Sequence, residues 1–302
     1  MKIKSVFLFM FLFAAAGLFA QNGKKAISMD EILEKKGILI TYPQWKLKAL
    51  SFSYDDGNIA DRRLVTIFNK NGMKGTFHIP SSWLKTKPKN RVTEKELAAL
   101  YANHEISGHG ANHKSMAKLK LAELQKEIDT EIRQWQKITG KHITGYAYPF
   151  GSYSATVISE MKKRNLIYAR TVGRRGANFS LPHDFMRWSA QGHHRNNIDL
   201  LADKYLAYNP RKMSILLIWG HSYEFPKHNN WQVIENFCKK MANKKDIYYA
   251  TMGEIASYVI AGRALKISSD GKKLENPSKE KIYFLYKGKK LTLDAGKTLL
   301  LQ

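Results

Sequence analysis

Two neighbouring carboxylates end an apolar segment early in the chain. Residues 50–54 alternate serine with leucine, phenylalanine and tyrosine, and Asp55, Asp56 and Gly57 follow directly. Because adjacent strand residues point to opposite faces, two acids side by side indicate that the strand ends there. Glycine permits the turn that must follow. Polar groups at the carboxyl ends of α/β strands often carry catalysis, although an Asp-Gly surface turn is the alternative.

Histidines stand at two comparable places further along the chain. His109 and His113 are four residues apart and follow a short apolar segment. On a helical turn this spacing places both imidazoles on one face, where a carboxylate can complete a site for zinc or a related divalent metal. His221 follows residues 213–219, the most apolar strand pattern of the chain. Paired surface histidines, and a core histidine bonded to backbone at position 221, are the alternatives.

A loop between these groups offers backbone donors. Residues 146–151 read Tyr-Ala-Tyr-Pro-Phe-Gly, and Pro149 and Gly151 predict a tight turn. The amides of such a turn can face the same opening as the acids and histidines. An ordinary surface turn is the alternative.

The hydrophobic pattern predicts the elements that must position these groups. Strands and helices alternate about seven times, which favours parallel βα units with right-handed crossovers. A barrel and an open doubly wound sheet both fit. Thr93 and Glu96 are spaced as a capping box. The predicted strands are 49–54, 74–79, 106–108, 143–148, 167–172, 213–219 and 247–251. The predicted helices are 29–35, 61–71, 93–104, 118–139, 155–165, 198–208, 231–242 and 252–260.

The two ends of the chain differ from its centre. Lys2 and Lys4 precede an apolar run over residues 6–19, a pattern typical of a secretory signal peptide, here predicted as residues 1–20. We therefore expect export to the periplasm or the extracellular space and no stable membrane span after cleavage, with a retained anchor as the alternative. Residues 21–264 form the predicted catalytic domain. Short strand patterns and glycine turns predict a small β-rich extension over residues 265–302.

The overall charge narrows the class of partner. The 302 residues carry a net charge of +25, which favours anionic partners such as nucleic acid, acidic lipid or acidic wall and capsule polymers. Export makes nucleic acid the least suitable of these, and a lysine-rich solvated surface is the alternative. The single cysteine, Cys238, excludes an internal disulfide and is expected in the core.

The four segments together resemble the polysaccharide deacetylases, the NodB-homology family also called carbohydrate esterase family 4. The resemblance covers about residues 47–265. The family's first motif, TFDDG, appears as Ser-Tyr-Asp-Asp-Gly at residues 53–57, and its second, H-S/T-x-x-H, appears as His-Gly-Ala-Asn-His at 109–113. Its third, R-x-P-Y/F-G, appears as Ala-Tyr-Pro-Phe-Gly at 147–151, and its last, a strand ending in histidine, appears at 217–221.

This resemblance implies an α/β fold, a distorted (β/α) barrel of NodB-homology type, and metal-dependent removal of acetyl groups from a polysaccharide. N-acetyl groups of chitin-like polymers, peptidoglycan or an exopolysaccharide are the first expectation, and O-acetyl groups of xylan are the alternative. The expected cofactor is Zn²⁺, with Co²⁺, Ni²⁺ and Mn²⁺ also compatible. The implied roles are metal ligands for Asp56, His109 and His113, general base for Asp55, general acid for His221, and oxyanion donor for the Phe150 backbone N–H.

The chain departs from the family pattern at two places. Ala147 stands where the third motif has arginine, and we predict that Arg170, at the end of the next strand, orients Asp55 instead. The fourth family motif has no clear match, and Arg187-Trp188 corresponds to it by position only. A catalytically impaired, polysaccharide-binding protein of the same fold is therefore the alternative function. The intact acid, base and ligand residues argue against that alternative.

Overall fold

The computed structural model of the chain describes residues 29–87, 89–173 and 178–302. The predicted signal peptide, residues 1–20, lies outside these residues. None of the helices in the described ranges is long and apolar enough to cross a membrane.

The strands form one large parallel sheet and two small antiparallel sheets. Their order along the chain is β1 (Ile38–Thr41), β2 (Lys48–Asp55), β3 (Gly75–Ile79), β4 (Glu105–Gly108), β5 (Gly145–Ala147), β6 (Tyr168–Thr171), β7 (Trp188–Ser189), β8 (Gly192–His193), β9 (Ser214–His221), β10 (Ile247–Tyr249), β11 (Lys266–Ile267), β12 (Lys273–Glu275), β13 (Ile282–Tyr286), β14 (Lys289–Leu293) and β15 (Thr298–Leu300).

Ten α-helices and several single 3₁₀ turns connect the strands of the described residues. The helices are α1 (Met29–Lys35), α2 (Asp61–Lys70), α3 (Trp83–Thr86), α4 (Leu97–Leu100), α5 (Leu121–Thr139), α6 (Ala155–Lys162), α7 (Ile198–Ala207), α8 (Glu224–His228), α9 (Gln232–Met241) and α10 (Met252–Arg263).

The large sheet has the strand order β7-β6-β5-β4-β3-β2-β9-β8. Every pairing in it is parallel, which confirms the predicted α/β class. β10 pairs with the first half of β2, while β3 pairs with its second half, so the two strands share one edge of β2. The carboxyl ends of parallel strands lie on one side of the sheet, and the polar segments predicted from the sequence all lie on that side, at or directly after the ends of their strands. β2 is buried along its whole length, at the centre of this arrangement.

The predicted helix over residues 93–104 is wrong in its length. Thr93 and Glu96 do form the expected capping box, but only a 3₁₀ turn and the four residues of α4 follow it. The Tyr101 hydroxyl donates to the Asp61 carboxylate at 2.7 Å, and the His104 ring accepts the Gly75 backbone N–H at 3.1 Å. These contacts with other elements hold the chain in a non-helical path.

The N-terminal segment pairs with the C-terminal extension. β1, which the sequence pattern did not predict, is antiparallel to β13, and β13 is antiparallel to β14. Tyr258 on α10 connects the same parts, because its hydroxyl donates to Thr41 O at 2.7 Å and accepts from Tyr283 N at 2.9 Å. Residues 265–302 are thus packed against the main domain through the pairing of β13 with β1.

Candidate active site

The paired acids lie at the carboxyl end of β2, as expected. The turn that follows begins at Asp56, one residue before Gly57. Asp55 is the last residue of β2 and is in register with His78 on β3 and His221 on β9. Asp56 itself adopts φ +79°, in the left-handed region that non-glycine residues rarely occupy. This turn lets both neighbouring carboxylates lie at the same edge of the sheet. Backbone strain of this kind is typical of functional sites.

The loop after β4 brings two imidazoles to Asp56. His109 Nε2 and His113 Nε2 lie 3.8 and 3.7 Å from Asp56 Oδ1. The loop is not the expected helical turn, because Gly110 and His113 have φ values of +75° and +56°. A turn closed by His113 N and Gly110 O at 3.1 Å places the two rings together instead.

The donor set of Asp56, His109 and His113 fits a divalent metal. One ligand atom from each residue lies within 4.8 Å of the others. His109 Nδ1 contacts Ala147 O at 2.8 Å, so the proton lies on Nδ1 and the Nε2 lone pair is free. Asp56 Oδ1 is buried and has no hydrogen-bond partner among the described residues. Two imidazole nitrogens beside one unsatisfied carboxylate oxygen suit zinc and related ions. We call these three residues the primary cluster.

Arg170 lies beside Asp55 and is paired with Ala147, the residue that stands where the third family motif has arginine. β5 and β6 pair Ala147 with Arg170, so the guanidinium enters from the neighbouring strand. Its Nη2 donates to Asp55 Oδ2 and its Nε donates to Ser53 Oγ at 2.7 Å, in a side chain only 2% exposed. The Trp219 ring covers the guanidinium at 4.5 Å. Burial acts to raise the pKa of Asp55, but Arg170 and the nearby histidines outweigh it and hold that pKa well below its usual range.

His221 lies at the end of β9, and a carboxylate that the sequence analysis missed lies behind it. Glu224 Oε2 is 3.7 Å from His221 Nδ1. Burial lowers the pKa of His221, but Glu224, Asp55 and Asp56 outweigh it, so that the pKa is raised. The available sequence signal was the acid three residues after the strand-end histidine, within one turn of it.

Glu224 also joins a second group of histidines. His193 Nε2 and His194 Nε2 lie 3.2 and 3.1 Å from Glu224 Oε2, and the sequence analysis named neither histidine. His193 Nδ1 accepts the Arg195 backbone N–H at 3.1 Å, so in the neutral ring the proton lies on Nε2 and faces the carboxylate. Arg195 Nη1 lies 3.6 Å from Glu224 Oε1. We call His193, His194 and Glu224 the second cluster.

The remaining predicted residues fall into two groups. Phe150 lies in the expected tight turn with φ +59°, its side chain 71% exposed and its ring 4.7 Å from the His113 ring. Its ring therefore lies beside the primary cluster. Arg187 instead pairs with Asp184, and the Trp188 ring packs on Phe185 at 4.9 Å. The Arg187-Trp188 pair thus makes packing and surface contacts in the structure.

Comparison with known proteins gives one family. Residues 44–169 match the family model described as polysaccharide deacetylase, as the motifs predicted. A curated relative is the uncharacterized protein YlxY of Bacillus subtilis, 27% identical over 128 residues. The match covers 42% of this chain and 39% of YlxY, so the chain spans well under half the length of that relative.

Solved structures agree on the fold. A crystal structure assigned to a polysaccharide deacetylase of Mycobacterium smegmatis has a TM-score of 0.56 and 15% identity, covering 74% of this chain and 94% of its own. This likeness confirms the predicted NodB-type fold. A carbohydrate esterase family 4 pseudoenzyme from Bacillus anthracis has a TM-score of 0.46 and 17% identity, covering 72% of this chain and 68% of its own. That similarity is too low to bear on activity.

Proposed function

We propose that the chain is an exported, metal-dependent carbohydrate deacetylase, because residues 44–169 match the family model described as polysaccharide deacetylase. The observation that carries the proposal is the meeting of two sets of groups at one edge of the sheet. The ion pair of Asp55 with Arg170 and the primary cluster share this edge, with His109 Nε2 lying 3.8 Å from both Asp55 Oδ2 and Asp56 Oδ1. A binding module has no need of a buried base held beside three ligand atoms.

Asp56, His109 and His113 would hold the metal, with Zn²⁺ as the first expectation and Co²⁺, Ni²⁺ or Mn²⁺ also suited to the donors. A divalent metal bound there supplies a Lewis acid that polarises the acetyl carbonyl and makes water more acidic.

Asp55 is the general base of the proposed reaction. Arg170 keeps the carboxylate ionised and fixes its direction, so that it accepts a proton from water as the water attacks the acetyl carbon. General-base catalysis of this kind contributes a factor of about 10²–10⁴. Arg170 thus takes the part that the absent arginine of the third motif has in the family.

Phe150 and His221 serve the other atoms of the substrate. The Phe150 backbone N–H is proposed to donate to the carbonyl oxygen as it gains negative charge, an interaction worth on the order of 3 kcal/mol. His221, whose raised pKa favours the protonated ring, gives its proton to the leaving nitrogen as the carbon–nitrogen bond breaks. The products are acetate and a free amino sugar.

The substrate is proposed to be an acetylated polysaccharide, and the charge of the chain favours an anionic polymer of the cell envelope. A net charge of +25 attracts such polymers over long range. The sequence pattern of residues 1–20 supports export, which would bring the enzyme to that substrate. O-acetyl groups on xylan remain the alternative target within the same chemistry.

Acetate release tests the proposal. The purified protein, first chelated and then resupplied with zinc, is given N-acetylglucosamine oligomers and acetylated xylan beside an Asp55→Asn variant. We expect zinc-dependent release that the variant lacks, and the preferred substrate distinguishes amide from ester cleavage. Metal binding without acetate release from any acetylated sugar would contradict the proposal.

One observation favours a second function, a polysaccharide-binding protein that lacks catalysis. Ala147 replaces the family arginine of the third motif, and loss of that arginine alone would leave the base without its partner. The contact of Arg170 with Asp55 argues against this function. Binding of the oligomers without acetate release, with wild-type and Asp55→Asn proteins alike, would establish it.

A further inference from the structure

Two buried carboxylates on α5 contact the loop that carries His109 and His113, and the proposed reaction does not use them. Glu127 and Glu131 are four residues apart, so they lie on one face of the helix. Their exposed fractions are 3% and 0%. Ionisable groups buried this deeply are normally retained only with partners that satisfy their charge.

Glu131 connects the ends of two strands. Its Oε1 accepts the His109 backbone N–H at 2.7 Å, and its Oε2 accepts the Ser81 backbone N–H at 3.1 Å. The Trp135 indole N–H donates to Oε1 at 3.2 Å. Three N–H groups therefore converge on one carboxylate, which fixes the start of the ligand loop relative to Ser81, two residues after the end of β3.

Glu127 holds the other part of the same loop. Its Oε1 accepts the Asn112 backbone N–H at 2.6 Å, and its Oε2 accepts the Asn112 side-chain amide at 2.9 Å. The two glutamates thus bind backbone N–H groups at His109 and Asn112, which bracket most of the segment between the two histidines.

The loop needs such support because its backbone is not regular. Gly110 and His113 are both in the left-handed region, which His113 can enter only at a cost. A buried carboxyl group that loses its hydrogen-bond donors costs free energy, so these hydrogen bonds are expensive to break. They favour the one loop conformation in which both Nε2 atoms face Asp56.

We propose that Glu131 and Glu127 are positioning residues that preorganise His109 and His113 to bind the metal. This inference rests on the proposed function only in assigning a metal to the primary cluster. Groups that orient metal ligands from behind typically change metal affinity by about 10–100-fold when they are replaced.

Metal binding without substrate tests the proposal. Cobalt(II) is titrated into chelated full-length protein in competition with a chromophoric chelator, and its visible absorption spectrum is recorded. Glu131→Gln keeps the size of the side chain but turns an amide N–H towards one of the backbone N–H groups. We expect cobalt binding to weaken by about 10–100-fold, with a changed spectrum, and turnover to recover at saturating cobalt. Glu123→Gln, an exposed acid on the same helix, is the control and should bind cobalt like the wild type.

Urea unfolding of the metal-free proteins separates positioning from mere structural support. Lower stability with unchanged cobalt affinity and spectrum in Glu131→Gln would overturn the proposal. If this variant does not fold, Glu127→Gln takes its place, with an expected loss of about 10-fold in affinity, and unchanged affinity there would overturn the proposal equally.

The two proposals fail in different ways. Weaker cobalt binding by the glutamine variants, with no deacetylation by the wild-type protein, would leave the positioning role and remove the proposed function. Deacetylation with equal cobalt affinity in all variants would do the reverse. A wild-type protein that binds no cobalt would remove both.

Discussion

The primary cluster and the second cluster have the same composition, two histidines and one carboxylate, but His109 in the first and His193 in the second carry their protons on opposite ring nitrogens. In the primary cluster, His109 Nδ1 donates to a backbone carbonyl, which leaves the Nε2 lone pair facing Asp56. In the second, His193 Nδ1 accepts a backbone N–H, so Nε2–H faces Glu224. The first arrangement leaves the His109 Nε2 lone pair free for a metal, and the second turns the His193 Nε2–H towards the carboxylate. The group behind an imidazole therefore decides what the imidazole binds.

The largest expected effect comes from removing a histidine of the primary cluster, and the equivalent change in the second cluster is the comparison. His109→Ala should lose the bound metal and at least about 10³-fold of the acetate-release activity, since both the ligand and the site geometry go. His193→Ala is the matched variant and should retain one metal per chain. Elemental analysis of the dialysed proteins measures this. Two metals per wild-type chain, falling to one in His193→Ala, would show that the second cluster is also a metal site.

Arg170 should have the next largest effect, because it holds the base and not the metal. Arg170→Ala is expected to lower kcat by about 10²-fold, within the range of general-base catalysis, while the metal content stays the same. Arg170→Lys keeps the charge but cannot donate to both Ser53 and Asp55 in the same way, so it should recover only part of the rate. Unchanged turnover in Arg170→Ala would rule out the orienting role of Arg170.

Replacing Glu224 tests whether the second cluster affects catalysis by raising the pKa of His221. Glu224→Gln removes a negative charge that raises the pKa of His221, so the protonated ring should be lost at lower pH than in the wild type. We expect about a 10-fold lower rate and an alkaline limb of the rate profile displaced towards lower pH. The matched variant is Glu235→Gln, on α9, whose carboxylate pairs with the exposed Arg63. A profile that keeps its alkaline limb would show that Glu224 does not act on His221.

Asp61 should have the smallest effect on catalysis, because it belongs to neither cluster. Burial raises the pKa of Asp61 to about 7, whereas the unfolded chain has the ordinary value of 3.8. The folded state therefore binds the extra proton between these values. Its contribution to the free energy of unfolding, at most about 4 kcal/mol, is present below pH 4 and is lost as the pH rises through 7.

Asp61→Asn should accordingly flatten the stability profile over that window and leave the metal content unchanged. Urea unfolding at pH 4, 5.5 and 7 measures the slope. An unaltered slope would mean that Asp61 is ionised in the folded protein, and a change in metal content would mean that Asp61 acts on the primary cluster.

Most of the fold was predictable, and the errors lie where contacts with distant elements decide the local structure. The long pattern of α5 and its Gly140 end were recovered closely, since the periodicity is strong and the glycine adopts φ +72°. The predicted helix over 93–104 failed because side-chain contacts of Tyr101 and His104 with other elements override helix propensity. β1 was missed because four residues give too little pattern, and its pairing with β13 spans most of the chain.

The sequence by itself determined which residues stand at the strand ends, because a strand's apolar pattern and the polar groups after it are local features. It also predicted Arg170 as a partner for Asp55, from its place at the end of the following strand. Only the tertiary structure decided the rest: that His193 and His194 meet Glu224, that Glu127 and Glu131 hold the ligand loop, and that His109 and His193 are protonated on opposite ring nitrogens. Those contacts depend on groups that the fold brings together from separate segments. Neither the spacing nor the type of the residues predicts which atom an imidazole or a carboxylate will meet.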